Sequence, residues 1–134
     1  MLEHPNQKII TKIIDKGGGY MDSILTSIKK LLGITEEYEN FDQDIIMHIN
    51  SAFMILNQLG VGPKSGFSIN DKSSTWDEFI PESSNLEAVK TYVHLKVKLM
   101  FDPPLSSTVI EAIKSQINEL EWRLNVSVDP PIDE

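Results

Sequence analysis

The stretch NLEAVKTYVHLKVKLMF, residues 85–101, carries apolar side chains around more than half of a helix. At about 100° per residue, Leu86, Val89, Val93, Val97 and Met100 make one stripe. Ala88, Tyr92, Leu95 and Leu99 make a second stripe beside it. A helix with so broad an apolar arc touches the core on one side and something else on the other, which makes it the central helix of a bundle. The something else is either another helix of the same chain or a neighbouring subunit. Lys96 falls inside this arc. Its stem can snorkel or its ammonium can meet an acid of this chain. A salt bridge to a neighbouring subunit is the sharper alternative.

The flanks give the bundle its other members. Ser83 or Ser84 opens the central helix, and Pro103-Pro104 closes it, because the residue before a proline is pushed out of the helical region. Ser106 or Ser107 then caps TVIEAIKSQINELEWRLNV, whose core stripe is Val109, Ile110, Ile113, Ile117, Leu120 and Leu124. Trp122 points away from that stripe. The ending DPPIDE is acidic, holds two prolines and reads as a mobile tail, taken as residues 127–134.

Upstream, Ser73 or Ser74 caps a single turn through TWDEFI, closed by Pro81. GVGPKSG, residues 60–66, has the composition of a loop, and residues 60–81 are expected to be a flexible connection free to reach partners. Before it, Asn40 or Asp42 starts a long helix that ends at Gly60. Its stripe is Ile45, Ile46, Ile49, Ala52, Phe53, Leu56 and Leu59, with Met47 and Met54 on the opposite face. The acidic linker ITEEYENF separates it from a helix capped by Asp22, built on Ile24, Leu25, Ile28, Leu31 and Leu32 and ended by Gly33. The sum is an all-α fold: a small bundle of four main helices plus one short helical turn, spanning residues 21–126.

DKGGGYMD, residues 15–22, admits two readings. The glycines are a flexible joint behind a short N-terminal helix, whose seam is Ile9, Ile10, Ile13 and Ile14. Alternatively, Met21 is the start of translation and residues 1–20 are an upstream-translated leader. Lys16-Gly17-Gly18-Gly19 can be encoded by a purine-rich string of the ribosome-binding type, and the second reading is preferred for that reason. From Met21 onward the chain has 9 basic and 18 acidic residues.

The whole chain has 134 residues, a net charge of −8 and no cysteine. The length suits one domain. The absence of thiols excludes disulfides, thiolate metal sites and a cysteine nucleophile. With 12 basic residues against 20 acidic ones and no basic run, sequence-specific DNA binding is not expected. No apolar run is long enough for a membrane helix.

Chemistry-bearing patterns are missing. His48 and His94 sit on different helices without a partner at metal-ligand spacing, and His4 lies in the leader. No phosphate-binding glycine loop and no nucleophile elbow occur. Glu36, Glu37, Glu39, Asp42 and Asp44 are the densest acidic group; a solvated linker leading into a helix N-terminus accounts for them better than a cation site does. Neither enzymatic activity nor a cofactor is expected. The informative residues are apolar ones in surplus of the core. The candidate self-association residues are Met47, Met54, Tyr92, Leu95, Lys96, Leu99 and Trp122.

MDSILTSIKKLLGI, then FDQDIIMHINSAFMILNQLGVGP, NLEAVKTYVHLKVKLMFDPP and INELEWRLNV together resemble the head–tail connector proteins of tailed bacteriophages, also called head-completion proteins. The resemblance covers residues 21–126 and rests on helix order, helix length and a few side chains. It implies a helical subunit that forms a homo-oligomeric ring below the portal, continues the DNA channel and docks the next connector, stopper or tail protein. It also implies a virion-neck location, with host cytoplasm before assembly, no catalytic residues, and DNA passing through without sequence-specific contacts. The competing reading is a small acidic regulator of the DNA-mimic type. Against it, the carboxylates cluster at helix starts and in linkers rather than at phosphate-like spacing.

Overall fold

Ile24, Ile28, Ile45, Ile49, Val89, Tyr92, Val93 and Val97, drawn from three helices, are all closed off from solvent and form the centre of the molecule. The computed structural model describes residues 22–81 and 85–128. The leader, residues 1–20, Met21 and most of the tail lie outside the described residues.

Among the described residues five helices follow one another: α1 Ile24–Leu31, α2 Asp42–Gln58, α3 Trp76–Phe79, α4 Leu86–Phe101 and α5 Ser107–Val128. The architecture is the expected all-α bundle of four main helices and one short turn. The central position of α4 also holds, since it packs against α2, α5 and α1. Pro103 and Pro104 turn the chain back, so α5 runs antiparallel along α4. The second apolar stripe of α4 is thereby taken up by this chain.

Several ends differ in detail. Ser23, not Asp22, caps α1, its Oγ accepting the Thr26 N–H at 3.1 Å. The Asp22 carbonyl instead accepts the Trp76 N–H at 3.3 Å, beside an antiparallel bridge between Ser23 and Thr75. Thr75, rather than Ser73 or Ser74, opens α3 in a capping box with Glu78. The last helix continues through Val128, so Ser127 and Val128 belong to the bundle rather than to a tail. Only Ile117 and Leu124 of α5 are fully buried, and Val109, expected in the core, is 44% exposed. Among the described elements α5 lies against α4 along most of its length, and none of the others covers the far side of its stripe to the same extent.

The connection 60–81 is the main correction, because it is pinned rather than flexible. Val61, Ile69, Trp76 and Phe79 are all core residues. The Asn50 side chain on α2 donates to the Ile69 carbonyl at 3.0 Å and accepts the Ile69 N–H at 2.8 Å, as a neighbouring strand would. Asn57 donates to the Pro63 carbonyl at 3.1 Å. Phe79 stacks on Phe53 at 4.5 Å between ring centroids, and Phe67 meets both edge-on or tilted at 5.3 Å. Trp76 is fully buried, and its indole N–H donates to Ser27 Oγ on α1 at 2.9 Å. Burial of a side chain that size stabilises the fold by about 2–3 kcal/mol. Gly62 has φ +91°, and a Cβ there would collide with the Phe79 ring, so only glycine lets this aromatic group close. What the connection offers outward is polar: Lys64, Ser65, Ser68 and Asn70–Ser73 are exposed.

Candidate functional site

The groups that could do chemistry do not converge among the described residues. Among the described residues no cluster of three or more histidines and acids could hold a metal ion. His48 and His94 are half-buried on separate helices. Burial, with a smaller contribution from the Lys98 charge, lowers the His94 pKa from its ordinary value, so its imidazole favours the neutral form. No helix among the described residues is long and apolar enough to cross a membrane.

The acidic linker has a structural task that its sequence alone does not announce. Lys29 of α1 is only 2% exposed, and its Nζ lies 2.8 Å from Asp42 Oδ1 at the start of α2. The same ammonium donates to the Tyr38 carbonyl at 2.7 Å and to the Glu36 carbonyl at 3.1 Å. One buried cation thus fastens the linker to both helices it joins. The signal for it was present: Lys29 follows Ile28 directly and sits one turn after Leu25, inside the apolar face of α1.

The surplus apolar residues divide into two groups. Met47, Met54 and Trp122 stand outside the core, exposed by 56%, 59% and 66%. Tyr92 and Leu95, candidates for self-association on the second stripe of α4, are buried in this chain's own core. Tyr92 ties α4 to α5, its hydroxyl donating to Glu121 Oε2 at 2.7 Å. Leu99 is partly buried and packs on the same core. Lys96 is half-buried, and none of the ion pairs among the described residues includes it.

Two exposed surfaces follow. One is a groove of about 500 Å³ on the outer side of α2, lined by Ile46, Met47, Asn50, Ser51, Met54 and Ile69 among others. Of its lining, Ile46 and Ile69 are buried, Met47 and Met54 are exposed, and the rest is neutral and polar. The other is the outer side of α5, where Trp122 and Val126, a helical turn apart, are both exposed. A third apolar strip was not foreseen. Tyr38, Phe41 and Phe101 stand edge-to-face at centroid distances of 5.5 and 5.2 Å, near the end of α4 where Met100 and Leu105 are also exposed. Linker residues such as Tyr38 and Phe41 carry no periodicity that would have marked them.

A family model described as phage connector protein matches residues 24–131, which takes in all five helices. The chain belongs to the phage connector protein family. The resemblance in helix order and length is therefore one of kinship. No curated protein and no solved structure gave a match. For a connector, the absence of converging reactive groups among the described residues and the presence of exposed apolar helix faces are the features that bear on its work, which is contact with other proteins.

Proposed function

We propose that this connector subunit joins with copies of itself into a ring below the portal of a tailed phage, continues the DNA channel and carries the docking surface for the next connector, stopper or tail protein. The observation that carries the reading is the family match along the whole helical domain. The exposed Met47, Met54 and Trp122 support it, because a lone subunit gains nothing by holding large apolar side chains in water. The role is structural rather than enzymatic, exercised in the neck of the virion, with the unassembled subunit in the host cytoplasm.

The charge of −8 also suits a channel component. An acidic lining repels the phosphate backbone over a Debye length and keeps DNA from adhering as it passes. Electron microscopy of the purified protein mixed with its portal tests the reading. Rings coaxial with the portal are expected; a protein that stays monomeric and ignores the portal overturns it.

A further inference from the structure

We propose that copies of this chain associate head-to-tail, the Trp122–Val126 side of α5 on one copy seated in the Met47–Met54 groove of α2 on the next. The proposal deepens the ring reading and rests on it for the closure of the array.

Placement comes first. α2 and α5 pack on different flanks of α4, and each turns its free side away from it. Met47 and Met54 lie about 160° and 140° around α2 from the fully buried Ile49. Trp122 lies about 140° around α5 from Ile117 and about 160° from Leu124, both buried. The two surfaces are also unlike in shape. One is a groove of about 500 Å³, and the other is a helix bearing a bulky indole with a valine one turn on. A ridge and a groove on separate faces are what a heterologous contact requires; a two-fold contact would use one of them twice and leave the other bare.

Charge disfavours the pairing of two groove-bearing segments. Residues 22–81, which carry the groove, hold nine carboxylates against four lysines. Residues 85–128, which carry the ridge, hold five carboxylates against five cations. Two copies meeting through residues 22–81 would bring segments of net charge −5 together, whereas the segment 85–128 has no net charge and meets residues 22–81 without that repulsion. On the ridge helix Lys114 and Arg123 are paired with Glu111 and Glu119, and the groove lining itself holds no charged residue that the indole would have to bury.

The chain has no cysteine, so single introduced cysteines report the contact directly. Ser51→Cys protein, changed in the groove lining, is mixed with Val126→Cys protein under mild oxidation, with Ser65→Cys as an exposed control; Met54 and Trp122 stay in place. The mixed disulfide, joining the Ser51→Cys thiol of one copy to the Val126→Cys thiol of the other, is expected in about tenfold excess over either homodisulfide, a preference of about 1.4 kcal/mol. Dominant Ser51→Cys homodimers would mean two-fold pairing of α2 faces and would overturn the proposal. Mixed product no greater than with the Ser65→Cys control overturns it as well. The mixed disulfide forms whether or not the array closes, so imaging of the oxidised double variant separates the two readings. Open chains in place of rings count against the ring and leave the contact standing; portal-bound rings without the mixed disulfide do the reverse.

Discussion

The ammonium of Lys29 is almost wholly out of water, and what makes that tolerable is the set of oxygens around it. Asp42 supplies the opposite charge, and the Tyr38 and Glu36 carbonyls each accept a hydrogen bond from the ammonium. An unpaired buried ion costs several kcal/mol, so removing either partner damages the other. The two removals are not equal, however. Lys29→Met strands the Asp42 carboxylate and two carbonyls, and a loss of about 3 kcal/mol in urea unfolding is expected. Asp42 keeps some solvent contact, at 20% exposed, and Asp42→Asn leaves the two carbonyl bonds in place, so a smaller loss is expected there. Equal and small losses from both would show that the ammonium keeps its water and that the linker is held by something else. The lysine was legible as a cation inside an apolar face. Its partners were not, because they are carbonyls whose direction depends on how residues 34–41 coil.

Between elements, the joint that decides the molecule is the one between α4 and α5. Tyr92 fills its centre, fully buried, with its hydroxyl on Glu121. Burial chiefly, and then the Glu121 hydrogen bond and charge, push the phenol pKa far above its ordinary value of 10.0. The folded state therefore holds this proton after the unfolded state has released it. The stabilisation is complete below about pH 10 and is lost as pH climbs beyond that. Thermal unfolding followed from pH 8 to 11 is expected to show a falling Tm on the alkaline side, with part of that slope absent in Tyr92→Phe. At neutral pH the same variant is expected to lose about 1 kcal/mol, the ordinary worth of one hydrogen bond. An unchanged alkaline slope would mean that the phenol is not what titrates. The two apolar stripes of α4 could be read from periodicity, but not which of them water would see. That was settled by α5 folding back over Tyr92 and Leu95 after Pro103-Pro104.

At the level of the whole molecule, the side chains in surplus separate folding from assembly. Met54 and Trp122 are largely in solvent, so Met54→Asp and Trp122→Ala are expected to change stability by no more than about 0.5 kcal/mol. Circular dichroism melts should superimpose on those of the wild type. Size-exclusion chromatography and imaging with portal should show association weakened in both. Tyr92→Ala is the contrast: truncating a fully buried aromatic opens a cavity and is expected to cost about 3–5 kcal/mol. Wild-type assembly by both Met54→Asp and Trp122→Ala would remove these residues from the interface, and the exposed Tyr38–Phe41–Phe101 strip would be the next surface to test.

The helices, their order, and the outward placement of Met47, Met54 and Trp122 were determined by the sequence by itself. Each follows from short-range geometry: a fixed angle per residue sets a side chain against its own helix's stripe, whatever that stripe packs on. The tertiary structure alone decided the burial of Tyr92 and Leu95, the anchoring of residues 60–81 by Asn50 and the closing of the linker around Lys29. Those outcomes depend on partners 7 to 29 residues away, met only after the chain has turned. A local pattern carries no record of where such a turn brings the chain.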